Sequence, residues 1–245
     1  MKKLFLLLLT ISSLQAQQNQ NAKAGAEELI PSLKKFMELP EEKRKEFGEY
    51  YIKASQLLQE KRIFEALSSV DKADKIFKDH VYNLTLKGSC YVEMRDFEKA
   101  RIAFEKVEEL DPKNIANHFN IAEMHYVAHD WQIAHDMFNK LLAEGSDKIQ
   151  NMIHITEFKI LICKTKLKLQ DEVTILSQKY SEKDDNPYYY YAQALLQYDK
   201  GNSIEAEAWT RRAIRIFQRP VILRAWQDAL EEAGYLNSHL AKGEQ

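Results

Sequence analysis

Histidine offers the most obvious chemistry in this chain, because four of its seven histidines fall within residues 118–135. His118, His125 and His129 follow one another at spacings of seven and four residues, which would place them on one face of a helix. Imidazole nitrogens brought together in this way can bind zinc. The sequence has no HExxH motif, however, to place a catalytic base beside them. We therefore interpret these histidines as structural and keep a metal-dependent enzyme as the less favoured alternative.

No other catalytic motif is evident in the sequence. It contains neither a phosphate-binding glycine loop nor a GxSxG elbow, and its two cysteines form no paired metal-binding motif. Acidic pairs such as Glu108-Glu109 are typical of solvated helix faces. We therefore expect no enzyme activity, no cofactor and no bound metal.

Composition favours a helical globular chain that does not bind nucleic acid. Of 245 residues, 45% are hydrophobic and 29% are charged, which is enough for a substantial core, and only 5 are proline and 7 glycine. The formal charge is −2, or −4 without residues 1–16, which contain two lysines and no acidic residue. Phosphate binding needs a basic surface stripe, so nucleic acid is not expected as a partner.

The start of the chain has the form of a secretory signal peptide. Lys2 and Lys3 supply a charged beginning, residues 4–11 form a short apolar run, and Ala16 is a suitable last residue before cleavage. The run is too short to span a bilayer comfortably, and no transmembrane segment is expected after it. We expect cleavage after residue 16, a disordered stretch at 17–24, and a periplasmic or secreted bacterial protein. A buried N-terminal helix is the less favoured alternative.

The elements that would position side chains for function are amphipathic helices, and residues 81–114 show two of them most clearly. Gly88 in the first helix and Ala100 in the second are small residues where the helices must touch, and Asp111-Pro112 ends the second helix. Small residues recur at the matching positions 34 residues earlier and 34 residues later in the sequence. They recur once more 72 residues after that. The recurring pairs are Ala54 and Ala66, Ala122 and Ala134, and Ala194 and Ala206.

This pattern resembles the tetratricopeptide repeat, a helix-turn-helix unit of 34 residues. The residues that carry the resemblance keep the family's spacing, with Leu84 in place of the signature tryptophan: Gly88, Tyr91, Phe97, Ala100, Phe104 and Pro112. The resemblance implies an all-α, right-handed superhelical solenoid of about five units, with a lead-in segment at 25–46 and a C-terminal capping helix and tail at 221–245. The units fall at 47–80, 81–114, 115–148, 149–186 and 187–220, and the fourth is degenerate because it lacks a small-residue pair.

The resemblance also bears on the histidines and cysteines. His118 and His125 stand at packing positions that family members usually fill with aromatic residues, which favours a structural role. Cys90 and Cys163 would lie on first helices two repeats apart, farther than the ~7 Å that a disulfide can bridge. Both cysteines are expected to be small buried residues.

In this family the first helices of successive repeats line a concave groove for a partner segment. The resemblance implies these groove residues: Tyr51, Leu58, Tyr82, Glu93, Phe119, Glu123, Tyr126, Phe158, Tyr188, Tyr191 and Tyr198. Aromatic rings at such positions can anchor a peptide or a helix. Removing Tyr126 and Tyr191 is therefore predicted to reduce stability modestly and binding more, whereas Tyr190 occupies a packing position. The alternative is that several of these tyrosines pack against neighbouring helices.

The last predicted helix is expected to cap the array. Its apolar face carries Trp226, and its polar outer face carries Arg224, Asp228, Glu231 and Glu232. A role of Trp226 as an anchor for a partner is the less favoured alternative.

The sequence thus predicts a non-catalytic scaffold or adaptor of the bacterial envelope that binds a protein or peptide partner in its groove. Self-association is the main alternative, with the lead-in or capping helix of one molecule in the groove of another. The carboxylate clamp of chaperone-tail binders in this family is absent, because Tyr51, Ser55, Thr85 and Ser89 stand where its basic and amide residues would be.

Overall fold

The computed structural model describes residues 29–145 and 149–236, and the regular elements within them are all helices. The chain therefore has the all-α fold of consecutive helix pairs that the sequence predicts. The described residues divide into two compact units, an N unit up to residue 121 and a C unit from residue 122. The predicted signal peptide, the stretch at 17–24 and the end of the tail lie outside these residues. None of the described helices has the length and apolar character that crossing a membrane requires.

The N unit contains a short helix followed by two helix pairs, and it ends within a further helix. Each pair is joined by a short turn, and its two helices pack on one another. The helices are α1 (Pro31–Met37), α2 (Glu41–Gln59), α3 (Ile63–Ile76), α4 (Val81–Glu93), α5 (Phe97–Leu110) and α6 (Ile115–Ala128).

The residues of α5 show why these helices form where they do. The carboxylate of Asp96 accepts a hydrogen bond from the backbone N–H of Lys99 at 3.3 Å and so caps the helix. Ala100, Phe104 and Val107 follow at helical spacing, and all three are buried. One face of α5 is therefore apolar and packs inward, which fixes its rotation about its own axis.

The turns inside the helix pairs use a left-handed residue. In the N unit these residues are Lys61, with φ 62°, and Arg95, with φ 58°. In the C unit His129, with φ 67°, continues the same 34-residue interval. A left-handed residue reverses the chain within a short turn. The 34-residue period is therefore seen in the backbone conformation as well as in the small side chains.

The small residues lie in the helix contacts, as the repeat phase predicts. A Cβ atom placed on Gly88 would lie 2.4 Å from the Phe104 ring, so the ring packs directly on the backbone of α4. The alanines at the matching positions are completely buried: Ala54, Ala66, Ala100, Ala122, Ala134, Ala194 and Ala206. Close approach within each helix pair therefore depends on these positions.

Two asparagines join successive pairs in a way that the sequence analysis did not predict. The side-chain amide of Asn83 donates to the carbonyl oxygen of Val70 at 3.1 Å, and that of Asn117 donates to the carbonyl oxygen of Phe104 at 3.1 Å. Both donors are buried. Donors and acceptors each recur after 34 residues, so the same hydrogen bond is made twice in the N unit. That recurrence was the signal in the sequence that would have found it.

The short helix α1 packs on both pairs of the N unit. Ile30 and Leu33 lie against a cluster formed by Val81, Leu84 and Val107. The ring of Phe36 meets those of Phe47, Phe77 and His80 at centroid distances of 4.9, 5.5 and 4.6 Å. Leu29 and Met37, which belong to the same apolar pattern in the sequence, are exposed.

The C unit continues with the rest of α6 and six further helices. These are α7 (Trp131–Gly145), α8 (Ile153–Lys166), α9 (Gln170–Ser177), α10 (Tyr188–Asp199), α11 (Ser203–Phe217) and α12 (Pro220–Glu232), with a 3₁₀ turn at Gln150–Met152 before α8. Helix α8 is buried on most of its surface because α7, α9, α10 and α12 all pack on it.

The pair formed by α8 and α9 is the degenerate one. Leu161 and Val173 fill the places of the small residues, and both are buried. Helix α9 has only 8 residues and ends before Tyr180. Ile175 is 75% exposed. The second helix of this pair therefore buries less apolar surface than its counterparts.

Candidate partner-binding surfaces

Five of the predicted groove residues lie in the N unit, and only two of them present surface to a partner. Leu58 and Phe119 are each 2% exposed, so they belong to the core and not to a groove surface. The carboxylate of Glu93 is buried against Lys61, whose Nζ lies 2.6 Å from Oε1. Tyr51 is half-buried and Tyr82 is 36% exposed.

Tyr51 and Tyr82 lie on α2 and α4, which contact each other. Burial raises the pKa of Tyr51 to about 12, and the neighbouring Tyr82 adds to the shift. Burial, followed by the charge of Asp111, also raises the pKa of Tyr82. Both hydroxyls therefore stay protonated at neutral pH and can donate hydrogen bonds. The Tyr82 ring lies 5.5 Å from that of His80, which supports it from below the surface.

The other six predicted groove residues lie in the C unit, where α12 contacts four of them. Tyr126, Phe158, Tyr188 and Tyr191 are completely buried, and Glu123 is nearly so. Tyr198 is half-buried, with its ring 6.4 Å from that of Tyr235. The prediction that these residues line an open groove is therefore wrong for the buried five. The chain's own C-terminal helix occupies the surface that they form, which we call the α12 seat.

Trp226 is the central apolar contact of the α12 seat. Its ring lies 5.1 Å from that of Phe158, 5.5 Å from that of Tyr191 and 6.3 Å from that of Tyr188. The indole is 4% exposed. Trp226 thus anchors a helix in an aromatic surface, but within its own chain.

The α12 seat also contacts the backbone of the helix that it holds. The Tyr126 hydroxyl donates to the carbonyl oxygen of Ala229 at 2.7 Å, and the Tyr191 hydroxyl donates to that of Leu223 at 3.5 Å. Nε2 of His129 donates to the carbonyl oxygen of Glu232 at 2.8 Å. This last carbonyl belongs to the final turn, which has no partner within the helix. His129 therefore caps the C-terminal end of α12.

A buried charge cluster completes the α12 seat. Nζ of Lys159 lies 2.9 Å from Oε2 of Glu123 and 3.2 Å from Oε2 of Glu232, and all three side chains are buried. It also lies 4.3 Å from the centroid of the Tyr126 ring. Sequence reasoning missed Lys159, although a lysine inside the apolar run of α8 indicates a buried charge.

The cluster has two carboxyl groups for one ammonium group. Burial raises the pKa of Glu232 to about 8 and also raises that of Glu123, although Lys159 opposes both shifts. Burial alone would lower the pKa of Lys159, but the two carboxylates outweigh it and the pKa rises. Lys159 is therefore charged at neutral pH, and burial favours the protonated form of both carboxyl groups.

This cluster corrects the predicted orientation of α12. Asp228 and Glu232 were placed on a polar outer face, yet both are buried. The physical reason for Glu232 is Lys159, which draws its carboxyl group into the C unit. The prediction that Tyr126 and Tyr191 can be removed at a modest loss of stability is also untenable, because both side chains are completely buried.

Tyr190 is a packing residue. It is 6% exposed, and its ring lies 6.0 Å from that of Phe217 and 6.5 Å from that of Trp209. Tyr188, its neighbour in the tyrosine run, donates its hydroxyl to the carbonyl oxygen of Leu176 at 2.9 Å.

The histidines bind separate partners and do not converge. His118 lies 3.0 Å from Glu108, His125 lies 3.0 Å from Asp130, and His135 lies 2.8 Å from Asp136. His129 binds the end of α12 as described above. Within residues 29–145 and 149–236, no group of three or more histidine, cysteine or acidic residues is placed to hold a metal ion.

Both cysteines are free and buried. Burial raises the pKa of each thiol to about 12. At neutral pH both are therefore protonated, and neither has the thiolate that nucleophilic chemistry needs.

An open cleft of about 610 Å³ lies in the N unit between the two helix pairs. Its lining carries equal numbers of lysines and acidic residues, and two pairs of them are in contact: Lys87 lies 2.8 Å from Asp74, and Lys106 lies 2.6 Å from Glu109. The cleft therefore presents a neutralised, solvated surface and no concentrated charge for a ligand.

Comparison with known proteins agrees with this architecture. Residues 82–114 match the family model described as a tetratricopeptide repeat, and they contain α4 from its second residue, all of α5 and the turn after each. No curated protein matches the chain. The chain thus contains a tetratricopeptide repeat, and the matched window is the repeat in which Gly88 packs against Phe104.

Proposed function

We propose that this tetratricopeptide repeat protein is a non-catalytic scaffold of the bacterial envelope, and that it binds a protein partner on the N unit at Tyr51 and Tyr82. The observation that carries the proposal is the exposed aromatic surface of Tyr82 beside Tyr51, on first helices of successive repeats. Tetratricopeptide repeats typically serve protein–protein interaction, which supports the same reading.

The chemistry of this surface suits an extended peptide or one face of a helix. Both rings offer apolar area, and both hydroxyls remain available as donors. Asp111 adds one negative charge beside Tyr82. We expect a partner segment with an apolar side chain against the rings and a hydrogen-bond acceptor within reach of a hydroxyl.

Tyr82→Ala tests this function in a crosslinking pull-down from the native envelope. Loss of an aromatic anchor should weaken capture of the partner by roughly 30-fold, since such anchors contribute about 2 kcal/mol or more. Phe64→Ala is the matched control, because Phe64 is 76% exposed on α3 in the same unit. The proposal fails if Phe64→Ala abolishes capture and Tyr82→Ala leaves it unchanged.

The envelope location rests on the charged and apolar pattern of residues 1–16. Export would place the N unit where it meets periplasmic or secreted partners. Fractionation of the native host, followed by detection of the chain in the periplasm or medium, tests the location separately from the binding surface.

A further inference from the structure

We infer that α12 is an exchangeable helix and that it docks in the α12 seat of a second copy of this chain, so that two copies form a dimer by exchanging their C-terminal helices. This inference goes beyond the proposed function and does not depend on the surface at Tyr82. It rests on the connection between α11 and α12, on the nature of the α12 seat, and on the apolar residues beside the connection.

The connection is short and strained. Only Gln218 and Arg219 separate the end of α11 from the start of α12. Gln218 is left-handed, with φ 46°, a conformation that is unfavourable for a residue with a Cβ atom. Arg219 precedes Pro220, which favours an extended backbone at Arg219. A short strained hinge disfavours folding α12 back onto its own chain, and opening the hinge relieves that strain.

The α12 seat has the character of a binding site and differs from an ordinary helix contact. It holds α12 with one aromatic anchor, hydroxyl and imidazole donors to backbone carbonyls, and a buried lysine for a carboxyl group.

The occupant is specified by the same contacts. A helix that fits must carry an indole and, six residues later, a carboxyl group, as Trp226 and Glu232 do. The α12 of a second copy meets every one of these requirements, because exchange reproduces each contact of the closed chain.

Apolar residues beside the hinge remain open in the single chain. Ile214 and Ile216 near the end of α11 and Ile222 near the start of α12 are all exposed. When two copies exchange α12, their hinges lie side by side. The isoleucines of one copy can then pack against those of the other, a contact that the closed chain lacks. Exchange therefore buries surface that the closed chain leaves in water.

Charge reversal on two full-length chains provides the test. Lys159→Glu places three carboxyl groups in the α12 seat, and Glu232→Lys places two ammonium groups there. Each variant alone should be less stable than the wild type. In a dimer of the two, one α12 seat has the native charges and the other has a lysine at position 232 facing a glutamate at position 159.

The two variants, carrying different affinity tags, are unfolded together in denaturant, refolded by dilution and purified on one tag. We expect both chains to be retained at close to a 1:1 ratio, with a melting temperature above that of either variant refolded alone. The inference is overturned if each chain is recovered without the other and the mixture melts as its two components do. If one variant does not fold alone, recovery of both chains together still supports exchange, because only exchange pairs opposite charges in both α12 seats. Recovery of neither chain in folded form overturns the inference.

A pair of hinge substitutions gives an independent measurement. Gln218→Gly permits the left-handed hinge and should lower the fraction of dimer seen by light scattering. Gln218→Val makes the left-handed hinge less favourable and should raise the association constant of the dimer roughly tenfold or more. A monomer in the wild type and in both variants at every concentration tested would also overturn the inference. Capture of an unrelated helix by the α12 seat without any dimer would assign that surface to a different occupant and reject the exchange.

Discussion

Gly88 is the residue on which the best-defined repeat depends. Its missing side chain lets the Phe104 ring contact the backbone of α4, and the same ring fills the space between the two helices. Gly48 in α2 is also helical, but a Cβ atom there would have no neighbour within 4 Å. Both glycines therefore have helical backbones, but a side chain has no room at Gly88 and is free of contacts at Gly48.

Gly88→Ala is predicted to destabilise the protein and Gly48→Ala to stabilise it. At Gly88 the added methyl group overlaps the Phe104 ring, and such overpacking costs about 1–3 kcal/mol, more than the gain in helix propensity. At Gly48 only that gain remains, about 0.5–1 kcal/mol. Denaturant unfolding of both variants measures the difference. Equal effects of the two substitutions would contradict the assigned contact.

His80 provides a second prediction at the residue scale, because it is buried among the rings of Phe36, Phe47 and Phe77. Burial lowers the pKa of His80 to about 4. The unfolded chain, with a pKa near 6.5, therefore binds more protons between pH 6.5 and pH 4. The contribution of neutral His80 to stability is complete above pH 6.5 and is lost as the pH falls through this window, by about 3 kcal/mol in total.

His80→Phe should remove this acid-dependent loss. Phenylalanine keeps the ring in the aromatic cluster and cannot be protonated. The free energy of unfolding of the wild type, compared with that of the variant, should fall by up to about 3 kcal/mol between pH 6.5 and pH 4. Parallel pH profiles of the two proteins would show that His80 is not the group responsible.

At the scale of the elements, α12 determines what the C unit presents to solvent. It covers Tyr126, Phe158 and Tyr191, and it draws Glu232 to Lys159. The same aromatic residues that resemble a partner groove in the sequence therefore serve first as the core beneath a helix. A partner that reaches them must replace α12.

The double substitution Tyr126→Ala with Tyr191→Ala is predicted to destabilise the C unit severely. Each removes a completely buried ring together with a hydrogen bond to α12, and truncation of a buried aromatic residue costs about 3–5 kcal/mol. Tyr82→Ala, at an exposed position, should change stability far less. Thermal melting followed by circular dichroism distinguishes the two. Retention of the wild-type melting temperature by the double variant would contradict the contacts described for α12.

At the scale of the whole molecule, export is the property that still depends on the sequence alone. Cleavage is predicted after Ala16, which gives a mature chain that begins at Gln17. Intact mass spectrometry of the protein from its native host measures the N-terminus directly. A native protein that retains Met1 would contradict export by this route.

The helix pairs and their phase follow from the sequence because they depend on short-range periodicity. Gly88, Ala100 and the alanines at matching positions identify the contacts within each pair, and a 34-residue comparison locates them without any structure. The hydrogen bonds of Asn83 and Asn117 obey the same period, so they too are contained in the sequence. All of these contacts join residues that are near one another along the chain.

The occupant of the groove was decided only by the tertiary structure. The hydrogen bond from Tyr126 to Ala229 joins residues 103 positions apart, and no local pattern indicates that they meet. Helix α12 has an apolar side and an acidic side, and its sequence alone favours burial of the apolar side with the acids in water. Buried Lys159 changes that balance, because its ammonium group pairs with the carboxyl group of Glu232 as well as with that of Glu123.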